Sequence, residues 1–207
     1  MPSIGFLEGI FIAAVFIYSV VAHEISHGAV ANALGDDTAK NLGRLTLNPL
    51  KHLDIFGSIL LPVFLIIIGS PFVFGYAKPV PYNPLNLRDK KYGPAKVALA
   101  GPAANLALAV LFGLVLRFLP ASFGVSTLPS LLSFVVQINL LLAIFNLIPI
   151  PPLDGHWLLL TFLPDKFAAF KLFIVRYSLI IFVVFLLFVF PFIYNYLIYP
   201  LFRVIIR

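Results

Sequence analysis

His23-Glu24-Ile25-Ser26-His27 sets two imidazoles four residues apart with a carboxylate between them. On a helix that spacing stacks both rings on one face. This suits two ligands of one metal ion, with the glutamate beside them as general base. The preceding residues, 4–22, are almost entirely apolar. An ionisable cluster in such a run is costly and marks function. These residues point to metal-assisted hydrolysis carried out inside a bilayer.

A catalytic zinc ion usually takes three protein ligands and keeps one open position. Cysteine is absent, so the ligands must be nitrogen and oxygen. The other histidines are His52 and His156; the acidic residues besides Glu24 are Glu8, Asp36, Asp37, Asp54, Asp89, Asp154 and Asp165. Asp154 is the best third ligand. It follows Pro149, Pro151 and Pro152, which remove helical hydrogen bonds and bare carbonyls, and Gly155 beside it permits close backbone approach. Irregular backbone at membrane depth is expected where it lines a cavity. The alternative for Asp154 is an N-cap on a helix starting at Gly155. His52, Asp54 and His156 are candidates for supporting roles behind the ligands. Asn139 reads as structural, and Gly101 and Asn105 as helix packing and capping.

These residues must be carried by membrane helices. The chain has 207 residues, 61% hydrophobic and only 11% charged, with mean hydropathy +1.06. Soluble domains carry about 25% charged residues. The expected architecture is an all-α multi-pass membrane protein. It has about four full transmembrane helices, one broken or re-entrant apolar segment and a short β-like loop. The spans fall at about 4–34, 95–119, 128–148 and 170–206, the last kinked at Pro191 and Pro200. Residues 55–73 are apolar but interrupted by Pro62, Gly69 and Pro71. The loops on both sides of that stretch are basic, so it is expected to re-enter rather than cross. Alternation at 44–47 suggests a short strand. The first span has no basic leader and no small-residue cleavage site, so it reads as a retained helix. The whole of 1–207 reads as a single transmembrane domain. The net charge of +6 lies in short loops, where it sets topology and meets lipid headgroups; no nucleic-acid partner is implied.

The sequence resembles the site-2 protease family of intramembrane zinc metalloproteases. That family pairs H-E-x-x-H with N-x-x-P-x-P-x-x-D-G on a later membrane helix. Here Asn146, Pro149, Pro151, Asp154 and Gly155 fit the second pattern in register. A G-P-x-x-N signature between the two matches Gly101, Pro102 and Asn105. The three matches run in family order over about residues 20–160. The chain resembles a minimal core, without a PDZ or CBS domain. The resemblance implies one zinc ion per chain on His23, His27 and Asp154, and Glu24 as general base. It implies that Asn146 holds substrate backbone or the oxyanion. Substrates are then transmembrane proteins cut in or near their spans. The basic loops, read by the positive-inside rule, place the chain in the cell membrane with the active site toward the cytoplasmic face. The readings from other classes are a metal-ion-binding or transport protein using the same His/Asp cluster, and a catalytically inactive relative.

Overall fold

The computed structural model describes residues 5–69, 75, 77–120 and 127–206, and among these every regular element is helical. Four helices are long and apolar enough to cross a membrane: α1 (Phe6–Ala33), α4 (Gly93–Arg117), α5 (Leu128–Asn146) and α8 (Ser178–Ile206). Shorter helices lie between them: α2 (Thr38–Asn41), α3 (Ile55–Ile67), α6 (Gly155–Phe162) and α7 (Ala168–Arg176). The expected fold class is borne out.

α1 stops because Gly35 takes φ +107°, a conformation open to glycine. Its N–H donates to Asn32 O (3.0 Å), and Asp36 N–H donates to Ala31 O (2.9 Å). The last carbonyls of the helix are thus satisfied. α1, α4 and α5 pack on one another. α8 closes the bundle: Ile198 joins Ala109 of α4 with Val136 and Leu140 of α5 in a fully buried cluster. Gly113 lets Ile205 of α8 approach α4, since a Cβ there would lie 2.2 Å from the Ile205 side chain. The outer face of α8 presents Leu179, Ile180, Phe188 and Phe192, all exposed, as a lipid-facing surface requires.

Two local expectations change. Residues 44–47 form no strand, and 45–47 are bends. Their polar groups are used sideways: Arg44 Nη2 donates to Lys78 O (2.8 Å), and His52 Nε2–H donates to Thr46 O (2.8 Å). α3 opens with a wide π turn at Ile55–Leu60 and ends at Ile67. It is shorter than the ~20 residues that span hydrocarbon, in line with a non-crossing element. The rest of that stretch, 70–73, lies outside the described residues. The last apolar stretch divides at Tyr177 into α7 and α8. Within α8, π turns at Phe185–Val189 and Tyr194–Ile198 each precede a proline, Pro191 and Pro200. A proline has no N–H for the carbonyl four residues back and crowds it. A wider turn absorbs both effects without breaking the span.

Candidate metal centre

The site gathers where α1 is ending, α4 is beginning and α5 has just ended. His23 and His27 are buried on the inner face of α1. Their Nε2 atoms are 3.0 Å apart, and both face Asp154 Oδ2, at 3.0 Å from His23 and 3.2 Å from His27. Among the described residues this is the group of three donors that could hold a metal ion. Asp154 occupies the N-cap position of α6, yet its side chain makes no capping bond; the carboxylate turns toward the imidazoles instead.

The donor set fits a metal. His27 Nδ1 lies 2.7 Å from Val97 O, an atom that can only accept, so Nδ1 carries the proton and Nε2 offers its lone pair. Two imidazole nitrogens and a carboxylate oxygen converge within 3.0–3.2 Å. Tetrahedral ligands at about 2.1 Å from zinc sit about 3.4 Å apart, so a small opening suffices.

Glycines make the space. A Cβ on Gly101 would stand 2.5 Å from His27 Nε2 and 2.6 Å from His23 Nε2. A Cβ on Gly155 would meet Leu147 O at 2.2 Å and Ile148 O at 2.5 Å, so glycine permits the tight return that brings Asp154 back. Gly28, next to His27, lets Leu45 and Val80 lie against α1. That second contact carries the extended segment around Val80 over the site. Val80 N–H donates to Glu24 Oε2 (2.7 Å), which orients the carboxylate.

The other candidates have local partners. Asn146 Nδ2 donates to Leu142 O (3.0 Å) on its own helix. His52 is buried, and its main-chain oxygen accepts from Lys78 N–H (2.8 Å). Asp54 caps α3, accepting from Gly57 N–H at 2.7 Å. His156 Nδ1–H donates to Leu153 O (2.6 Å). None of these bonds reaches the cluster.

Two features were not read from the sequence. Asn105 Oδ1 sits 2.6 Å from His23 Nδ1, so the residue read as packing touches a candidate ligand. The Tyr82 hydroxyl is buried with no hydrogen-bond partner. Burial and the charge of Asp154 push its pKa up to about 12, so it is a neutral phenol. Tyr82 stands alone in a Pro-rich loop, and no spacing signalled it.

The profile of "Peptidase family M50" matches residues 121–189. Three relatives carry the name "Putative zinc metalloprotease". YwhC of Bacillus subtilis is 37% identical over 198 residues, covering 92% of this chain and 85% of YwhC. Rip2 of Mycolicibacterium smegmatis is 36% identical over 151 residues, covering 72% of this chain and 56% of Rip2. MJ0611 of Methanocaldococcus jannaschii is 37% identical over 150 residues, covering 69% of each. No solved structure matches. With most of YwhC matched along nearly the whole chain, the protein belongs to peptidase family M50.

Proposed function

We propose that this protein is an intramembrane zinc metalloprotease whose 1–207 chain acts as one transmembrane unit. It holds one zinc ion on His23, His27 and Asp154 and cuts membrane proteins in or near their spans. The observation that carries the reading is the meeting of two Nε2 atoms and one carboxylate oxygen beside Glu24. Bound zinc supplies a Lewis acid that polarises the scissile carbonyl and acidifies water. Glu24 takes a proton from the attacking water, whose oxygen bonds to the carbonyl carbon. Glu24 then passes that proton to the amide nitrogen as the C–N bond breaks, leaving a carboxylic acid and an amine; the acid's remaining proton goes to the amine, giving carboxylate and ammonium. Its hydrogen bond from Val80 N–H keeps the carboxylate aimed along α1. Asn146 has a second amide proton beyond its bond to Leu142 O, available to a substrate carbonyl oxygen as charge develops there. His52, Asp54 and His156 support the loops around the site rather than the reaction.

A transmembrane substrate satisfies its own backbone and must unwind before cleavage. His23 and Gly101 lie about three and two turns in from the neighbouring ends of α1 and α4, so the site is inside the spans toward one of their ends, which favours substrate bonds at that depth. The acidic base decides against transport: moving an ion needs ligands but no general base.

The test uses detergent-purified protein and a panel of tagged single-span membrane proteins. Wild type should carry about one zinc per chain. Asp154→Ala should lose it and His52→Ala should keep it. Glu24→Gln should keep zinc and abolish cleavage. Cleavage surviving in Glu24→Gln sinks the assignment of the base, and zinc surviving in Asp154→Ala sinks the third ligand.

A further inference from the structure

The imidazole of His23 is fixed through two amides by groups on three different helices. Ser19 of α1, Asn105 of α4 and Asn139 of α5 are all buried. Asn139 Nδ2 lies 2.9 Å from Val135 O, a main-chain oxygen that can only accept, so the NH2 end of Asn139 must point there. The same nitrogen donates to Ser19 Oγ (2.9 Å). Asn139 Oδ1 is then the end that faces Asn105, and Asn105 Nδ2 must donate to it (2.9 Å). Asn105 Nδ2 also donates to Ser19 O (3.1 Å), a second fixed acceptor. Only Asn105 Oδ1 is left for His23, 2.6 Å from Nδ1, so Nδ1 carries the proton. Nε2 is left with its lone pair aimed at Asp154 and His27.

The opposite setting is chemically coherent and would be inactive. If Asn105 were turned over, its NH2 would face Nδ1, and the ring proton would move to Nε2 and occupy the ligand position. Nothing in Asn105 itself chooses between the two settings. The choice comes from its two acceptors, Ser19 O and Asn139 Oδ1.

We propose that Asn139 is a positioning residue that sets the tautomer and ring direction of His23 through Asn105. α5 therefore acts on the centre through two routes, Asp154 beyond its end and Asn139 within the span. This rests on His23 being a ligand, as proposed above. Partners behind metal-binding histidines fix the tautomer, and their loss typically weakens metal affinity by about 10–100-fold.

A carboxylate at position 105 has no wrong way round for His23, but its far oxygen would face the acceptors Ser19 O and Asn139 Oδ1, so in that background Asn139 no longer helps to orient the group. The experiment measures the zinc Kd, by chelator competition in detergent, for wild type, Asn139→Leu, Asn105→Asp and the double variant. Thermal unfolding of each checks the fold. The expected result is a Kd about tenfold or more weaker for Asn139→Leu alone. Adding Asn139→Leu to Asn105→Asp should weaken it by less than about twofold, or strengthen it by removing an acceptor from beside the carboxylate, the mark of coupled sites. An unchanged Kd in Asn139→Leu overturns the proposal, and so does an equal loss in both backgrounds, which would mean simple packing. If Asn139→Leu does not fold, Asn139→Ser takes its place in the same cycle. His23→Ala, run alongside, separates the two ideas. Zinc retained there sinks the ligand assignment; zinc lost there but unmoved by Asn139→Leu sinks only the positioning role.

Discussion

Gly101 shows how little room the centre has. The two Nε2 atoms need a face of α4 with no side chain, and α4 supplies it at one residue. In Gly101→Ala the added methyl would stand 2.5–2.6 Å from both rings, with no flexible atom to give way except the rings themselves. Overpacking of this kind costs about 1–3 kcal/mol. Here it is relieved by turning the imidazoles off their shared target. Zinc affinity should fall at least about tenfold, the lower end for disturbed ligand orientation. The helical circular dichroism should stay as in wild type. Chelator competition on the purified variant checks this, and an unchanged Kd would show that α4 can back away. The gathering of His23, His27 and Asp154 was legible in the sequence because a metal site of the kind proposed would fix residue type and spacing. Gly101 and Asn105 were visible only as small and polar residues in a membrane helix. Sequence tells that something comes close to such residues, but not that the neighbour is an imidazole.

At the scale of elements, the linker from α1 to α4 is held by one carboxylate. Asp36 is fully buried just past the end of α1. Oδ1 accepts from Thr38 Oγ1 (2.5 Å), Thr38 N–H (3.2 Å) and Asn86 Nδ2 (2.8 Å), while Oδ2 accepts from Asn83 N–H (2.6 Å). Arg88 N–H adds a bond to Leu34 O (2.8 Å). This clamp positions the loop that carries Tyr82 and the Val80 N–H over Glu24. Burial would raise the Asp36 carboxyl, but the bonds from Thr38, Asn86 and Asn83 outweigh it and lower it below the usual range. The sign follows directly. A depressed folded-state pKa contributes stability above the unfolded value, about 3.9. That contribution is lost as pH falls through the folded value. Asp36→Ala should therefore melt below wild type at neutral pH, by roughly 1–3 kcal/mol for the donors left unpaired. The gap should hold down to about pH 4 and close beneath it. Thermal scans of both proteins from pH 7 to pH 3 test this; a gap independent of pH would place the effect elsewhere. In the sequence Asp36 is one acidic residue among eight, with nothing local to single it out. Thr38 is a neighbour, but Asn83 and Asn86 lie about fifty residues on, and no local pattern carries contacts of that range. The strand expected at 44–47 failed for a related reason: its alternation was real, but no neighbouring strand exists among the described residues to pair with it.

For the whole molecule, the contacts decide topology by parity. His27 of α1 bonds to Val97 of α4, and Leu34 bonds to Arg88, so the linker leaves and returns on the same face. A single crossing by α3 would need a second one before Gly93. Residues 77–92 hold only extended chain and a short turn. α3 is also too short to span, at about 1.5 Å per residue against ~30 Å of hydrocarbon. The linker carries Lys40, Arg44, Lys51, Lys78, Arg88, Lys90 and Lys91, whereas residues 118–127 carry no charge. The positive-inside rule then favours the proposal that the linker and the candidate metal centre lie at the cytoplasmic face of the cell membrane. The chain has no cysteine, so single introduced thiols report cleanly. Leu50, Leu85 and Phe118 are exposed, the first two on either side of α3 and the third beyond α4. With a membrane-impermeant maleimide on intact cells, Phe118→Cys should label. Leu50→Cys and Leu85→Cys should stay unlabelled until the membrane is inverted. Labelling of Leu50→Cys and Leu85→Cys from opposite faces would make α3 a crossing helix and contradict the parity. Labelling of both from outside would keep the fold but turn the active site outward, so substrates would be cut near their external ends.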